Sequence, residues 1–257
     1  MTVTAYADLK WSPLDPKSPN GLQVSLVEGD MQKGPVTFFL KLPAGSKSPV
    51  HGHSNDYDSV VVQGAPTHSL SDKDAPKPLA VGSTWFQPGT ELHFDSCTGD
   101  KDCVVLLHYP KGGFDFFMQP PAGAKATGKL AVTPYASVKW QPLNPKDPKG
   151  IQISMLAGDM QKGPVTFFMK FAAGGKSPVH GHSNDYYGIV TQGAPTHGLS
   201  DKEPGTPLAV GSTWFQPGTE LHFDSCTGDK DCVVLLHYPK GGFDFFMAPE
   251  QAPAAAK

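Results

Sequence analysis

No arginine occurs in the 257 residues; all 21 basic side chains are lysine. A planar fork that grips a carboxylate or phosphate through two hydrogen bonds is therefore unavailable, and an anionic substrate must be held by lysine, backbone amides or a metal. The net charge of −3 comes with no basic stripe, which leaves no electrostatic footprint for a nucleic acid. Long apolar runs are missing too: no stretch approaches a membrane span, and the start MTVTAYADLK shows neither the basic nor the apolar region of a signal peptide. Cysteine is scarce. The four fall as CTGDKDC twice, at Cys97 and Cys103 and at Cys226 and Cys232. TGDKD reads as a hairpin turn whose flanking cysteines face each other across two strands, which predicts two disulfides and an oxidising compartment, periplasmic or secreted. Two reduced thiols beside each turn are the alternative.

What the chain has in quantity is glycine (28) and proline (26), which favour turns and short strands over long helices. From Trp11 onward every feature recurs 129 positions later: Trp11 with Trp140, MQKGPVTFF at Met31 with Met160, HGH at His51 with His180. The segment from Pro78 to Met118 is identical to that from Pro207 to Met247. Two domain-sized copies follow, expected at 1–118 and 135–247, joined by a Pro-, Ala- and Gly-rich linker at 119–134 and followed by a disordered tail at 248–257. Within each copy the runs VTFFLKL, SVVVQ, STWF, ELHF and CVVLLHY are short, rich in β-branched and aromatic residues, and bounded by turn formers. No apolar period of 3.6 residues is sustained, so the fold class is all-β, a sandwich or double-sheet jelly roll.

The ten histidines form five pairs, each 129 apart. His51 and His53 are two apart, so on a strand they share a face and make a natural two-ligand unit. His93 follows the Pro88-Gly89 turn and supplies a third imidazole from a neighbouring strand. The second copy repeats the set as His180, His182 and His222. Surface histidines on a polar strand are the bland alternative. His68 and His108, with His197 and His237, read as buried hydrogen-bonded histidines, or else as a fourth ligand or a partner behind the ligands.

GSKSPVHGHSNDYDSVVVQG, from Gly45 to Gly64, resembles the first cupin motif, and GSTWFQPGTELH, from Gly82 to His93, resembles the second. Copy two matches at Gly174, His180, His182, Gly193, Gly211, Pro217 and His222. The resemblance implies two tandem cupin barrels (double-stranded β-helix, or jelly roll), a bicupin similar to bacterial cupins without an assigned activity. It also implies one divalent transition metal per barrel: Fe(II) foremost, with Cu, Zn, Ni or Mn as alternatives. Where cupins place a glutamate ligand, this chain has Tyr57 and Tyr186, and the middle glycine of the second motif is Thr90. Asp56 and Asp58 flank the ligand position but point away from it by strand alternation. The expected inner shell is therefore three neutral imidazoles, with Tyr57 or Tyr186 beside them.

Such a shell leaves the full dipositive charge on the metal. Related three-histidine cupins include dioxygenases, and the resemblance implies an oxygenase-type enzyme acting on a small chelating substrate: a diketone, enol, thiol or similar. Tyr57 and Tyr186 would donate a hydrogen bond or a proton. The alternatives are a non-catalytic metal or small-ligand sensor, and a zinc-dependent isomerase or lyase. Expected partners are a small-molecule substrate and other copies of the chain through barrel–barrel contacts, with no nucleic acid and no membrane. Asp58-Ser59 becomes Tyr187-Gly188 and Val62 becomes Thr191 in copy two, so the two copies are expected to share a metal shell but differ in their pockets.

Overall fold

The computed structural model of the chain describes residues 1–74 and 76–247; the tail expected to be disordered lies outside them. The short apolar runs become strands. In chain order these are β1 (Thr2–Thr4), β2 (Ser12–Pro13), β3 (Gln23–Gly29), β4 (Val36–Leu42), β5 (Tyr57–Gln63), β6 (Ala65–Ser69), β7 (Thr84–Gln87), β8 (Phe94–Thr98) and β9 (Cys103–Tyr109). They continue as β10 (Ala131–Thr133), β11 (Gln141–Pro142), β12 (Gln152–Gly158), β13 (Val165–Phe171), β14 (His180–Gly181) and β15 (Tyr186–Gln192), then β16 (Ala194–Gly198), β17 (Thr213–Gln216), β18 (Phe223–Thr227), β19 (Cys232–Tyr238) and β20 (Phe246–Met247). Two turns of 3-10 helix, Tyr6–Asp8 and Tyr135–Ser137, are the only helical elements among the described residues. The fold is all-β, as the turn-rich composition requires.

The chain divides into two compact units. The N-terminal unit is Leu9–Val138; the C-terminal unit combines Met1–Asp8 with the chain from Lys139 onward. This partition differs from the sequence reading at both ends of the repeat. The segment read as a linker contains β10, which lies antiparallel to β7 with Val132 opposite Trp85. Likewise β1 lies against β17 with Val3 opposite Trp214. Each of these strands leads into a tyrosine that covers a glycine. A Cβ on Gly82 would sit 2.6 Å from the Tyr135 ring, and one on Gly211 2.3 Å from the Tyr6 ring. Both glycines also hold positive φ, 82° and 86°, so two independent constraints exclude a side chain there.

In the N-terminal unit a seven-stranded sheet has the order β10-β7-β5-β9-β4-β3-β2. The facing layer is β6 with β8, extended by bridges pairing Lys47 with Ser96, His51 with His93 and Gly52 with Phe117. The C-terminal unit repeats the plan as β1-β17-β15-β19-β13-β12-β11, with β16 on β18 and β14 on β20. The strand VTFFLKL shows how alternation builds the interior. Phe38 points inward with Val36, Tyr57, Val61, Trp85 and Leu107. Phe39 takes the opposite face, where Trp11 packs at 6.4 Å between centroids and the Lys41 ammonium lies 4.1 Å over that indole. Each buried large apolar side chain stabilises the fold by roughly 1.5–3 kcal/mol.

Both cysteine pairs are disulfides, Cys97–Cys103 and Cys226–Cys232, but not across a hairpin. β8 pairs with β6, whereas β9 pairs with β4 and β5. The bond therefore ties the small layer to the large sheet.

Candidate metal centres

The two motifs meet through a backbone bridge: His51 N–H donates to the His93 carbonyl at 2.9 Å, and His93 N–H returns to His51 at 2.7 Å. Gly52 separates the first two histidines because a Cβ there would strike the Phe117 ring at 2.7 Å. The rings of His51, His53 and His93 gather with centroids 4.2 to 5.1 Å apart, and one nitrogen of each lies within 4.8 Å of the others. His180, His182 and His222 form the same group in the C-terminal unit.

The surrounding carbonyls orient the rings. His51 Nδ1–H donates to Pro49 O at 2.9 Å, and His53 Nδ1–H donates to Asp115 O. The lone pairs of these two rings are thereby left on their Nε2 atoms. Burial lowers the pKa of His53 to about 4 and of His93 to about 3. In the C-terminal unit burial lowers His182, and brings His222 to about 3. Neutral imidazole is the ligand form, and three such donors facing one point make the type of set that holds a divalent transition metal.

Tyr57 is buried with its Oη 3.3 Å from His93 Nε2, and Tyr186 Oη is 3.1 Å from His222 Nε2. Burial, then the charge of Asp95 or Asp224, raises both phenols well above their ordinary range, so they remain donors. The flanking carboxylates do point elsewhere. Asp56 accepts from Gly89 N–H at 2.7 Å and from the Thr127 hydroxyl, bracing the turn before His93. Asp58 is registered between Phe86 and His108. Thr90, where the motif has glycine, adopts the glycine conformation with φ 67°, and its N–H donates to the His53 carbonyl at 2.7 Å.

One carboxylate that the sequence reading passed over does reach the imidazoles. Asp95 Oδ2 is 3.5 Å from His93 Nε2 and 3.8 Å from His51 Nε2; Asp224 Oδ2 is 3.6 Å from both His222 Nε2 and His180 Nε2. Burial would raise the Asp95 carboxyl, but His68, then His93 and His51, hold it well below the usual range. His68 is buried and hydrogen-bonded, Nδ1 to Asp95 Oδ1 at 2.6 Å and Nε2 to Gln87 Oε1 at 2.9 Å. His108 Nδ1 meets the Thr37 hydroxyl at 2.9 Å, and His237 Nδ1 the Thr166 hydroxyl at 2.8 Å. The signal for Asp95 was present in the sequence: two residues past His93 is the same strand face.

Residues 1–114 match the sequence profile of a domain of unknown function, DUF4437. No curated protein matches the chain in sequence. Solved structures share its fold over nearly the whole length. A candidate dioxygenase from Nostoc punctiforme PCC 73102 superposes with TM-score 0.69 at 12% identity, covering 97% of this chain and 87% of that one. Oxalate decarboxylase from Lactobacillus farciminis, in complex with formate, gives 0.58 at 12% identity, covering 96% and 88%. The 7S globulin of Momordica charantia gives 0.59 at 11%, covering 95% and 86%. At such identities the likeness is one of fold.

A cavity opens onto each histidine group, and the two are unequal: about 670 Å³ in the N-terminal unit and about 120 Å³ in the C-terminal unit. The walls of the larger include Leu14, Leu22, Leu40, Leu42, Leu107 and Phe114 together with His51, His53, His93 and Asp95, and Lys47 is the only lysine lining it among the described residues. Phe116 stacks on His51 at 4.8 Å between centroids. In the smaller cavity Met169 and Phe171 stand where Leu40 and Leu42 do in the larger. The pockets thus differ, but not through Asp58, Ser59 and Val62, none of which lines the larger cavity.

Proposed function

We propose that the N-terminal unit is a metal-dependent enzyme of the oxygenase type, acting on a small organic substrate that chelates through two heteroatoms and carries an apolar body. The observation that carries this reading is the cavity of about 670 Å³ lined by leucines together with the three imidazoles. A metal at His51, His53 and His93, Fe(II) foremost, would supply open positions for a chelating substrate. Dioxygen is the oxidant, and in a dioxygenation both of its atoms end in product, so no external reductant is required. The leucine walls desolvate the substrate body, Phe116 flanks the chelating end, and Tyr57 donates its hydroxyl hydrogen towards whatever oxygen binds beside His93. Lys47 offers a counter-charge to an enolate or carboxylate. Oxalate suits this cavity poorly, being small and doubly anionic where the walls are apolar and arginine is absent.

A second reading, metal binding without turnover, is favoured for the C-terminal unit by its cavity of about 120 Å³, which is below the usual size of a site for a drug-sized ligand. The paired disulfides fit an oxidising, extracytoplasmic setting for both.

The test is elemental analysis of protein purified without added metal, followed by oxygen uptake with a panel of β-diketones, enols and thiols. Bound iron or copper and uptake abolished by His53→Ala support the enzyme. Stable zinc, or no metal, with no turnover across the panel overturns it in favour of a sensor or a zinc isomerase.

A further inference from the structure

We propose that Asp95 is a metal ligand in its own right, and Asp224 its counterpart. Each centre would then be three imidazoles and one carboxylate, the carboxylate arriving from the strand of the second motif rather than from the position held by Tyr57. This rests on the metal-site reading above.

Donor atoms that share one ion at about 2.0–2.2 Å stand roughly 3–3.6 Å from one another in octahedral or tetrahedral arrangement. Asp95 Oδ2 lies 3.5 Å from His93 Nε2 and 3.8 Å from His51 Nε2, and in the C-terminal unit the two separations are both 3.6 Å. The separations of 3.5, 3.6 and 3.6 Å fall within that range, and the 3.8 Å from Asp95 to His51 lies just beyond it; all are at or beyond hydrogen-bond length. Alternation along β8 places Asp95 on the face of His93, directed into the cavity, which it lines.

The carboxylate is also held in place. Its Oδ1 accepts from His68 Nδ1–H at 2.6 Å, and His68 Nε2 is fixed by Gln87 Oε1 at 2.9 Å. The Gln87 amide is pinned in turn, donating to Glu91 O at 3.0 Å and Pro88 O at 3.3 Å. His68 lies flat on Trp85, with centroids 4.7 Å apart and planes 19° apart. The same chain of contacts runs through Asp224, His197, Gln216 and Trp214. Support of this kind behind one oxygen, leaving the other aimed at the metal-binding nitrogens, is how ligating carboxylates are oriented. With Asp95 bound, a dipositive ion carries a net single charge, and one open position fewer remains.

The experiment uses the full chain carrying His182→Ala, so that only the N-terminal centre binds, with Co²⁺ as the probe. Calorimetric titration gives affinity, and the visible ligand-field bands report the donor set. Asp95→Asn is expected to weaken Co²⁺ binding more than about 100-fold and to shift the bands. Loss of an outer support costs about 10–100-fold, so His68→Gln should fall within that range and leave the band positions unchanged. Asp95→Asn binding within tenfold of its parent, or with unchanged bands, overturns the proposal and reduces Asp95 to a partner of His68. If His53→Ala added to the same chain leaves Co²⁺ binding intact, the histidine site itself is wrong, which is a separate failure. Should Asp95→Asn not fold, Asp224→Asn in a His53→Ala chain makes the same measurement at the other centre.

Discussion

The Tyr57 hydroxyl stands 3.3 Å from His93 Nε2, and Tyr186 repeats the relationship at 3.1 Å from His222 Nε2. In the proposed centre a protonated phenol there would act on a bound oxygen without being needed to hold the metal. Tyr57→Phe is therefore expected to retain metal while kcat for the best substrate of the panel falls about 10²-fold, in the range of a positioned proton donor. Elemental analysis beside oxygen-uptake kinetics checks this. Unchanged kcat would remove Tyr57 from the chemistry.

Leu42 lines the wide cavity and Phe171 the narrow one. Leu42→Phe should close the N-terminal pocket to a phenyl-substituted β-diketone, raising its Kd tenfold or more, since a side-chain-sized change in an apolar pocket is worth about 1–3 kcal/mol. Phe171→Leu should let the C-terminal unit bind the same probe. Both are read by calorimetry on metal-loaded protein; affinity indifferent to Leu42→Phe would place the substrate elsewhere.

Asp58 is held in an unfavourable setting: burial first, then the charge of Asp56, raises its pKa to about 6. With the folded value above the unfolded one, the carboxylate is penalised in the fold at pH above 6, and the penalty disappears below about pH 4. Asp58→Asn should thus stabilise the protein at pH 7.5 by up to about 3 kcal/mol, less once its partial exposure is allowed for, and the gain should vanish near pH 4. Denaturant midpoints at the two pH values decide it, and a variant less stable at pH 7.5 would show that the carboxylate is needed.

Residues 1–8 belong to the C-terminal unit through β1 and through Tyr6, whose N–H donates to Ser212 Oγ at 3.1 Å. Deleting them should lower the stability of that unit alone. Hydrogen exchange would show faster opening in β17 and β15 with β5 and β7 unaffected; equal loss in both sets of strands would contradict the assignment.

Much of this was readable in the sequence, because alternation and turn chemistry are local. VTFFLKL and CVVLLHY became strands as written, and His51, His53 and His93 converge because the motifs fix their spacing. Asp95 was hidden for a physical reason: the first motif is where a carboxylate ligand belongs, and there the fold has put a buried phenol. Leu42 and Phe171 could not be ranked beforehand, since an apolar substitution on an inward face reads alike whether it fills core or lines a cavity. The boundary between copies did carry a signal. Val132, Thr133, Tyr135 and Trp140 match Val3, Thr4, Tyr6 and Trp11 at the repeat spacing, so the supposed linker already contained the start of the second copy.

The placement of β1 and β10 also sets an order of events during synthesis. When residue 118 leaves the ribosome, the first copy of the repeat is complete as sequence but still lacks the strand that lies on β7, which arrives only with residues 131–133. The opposite holds for the second copy: its edge strand is made first and must wait, unpaired, until Thr213–Gln216 exist to receive it. Cutting the gene at the repeat boundary would accordingly yield two fragments, each holding a strand that belongs to the other.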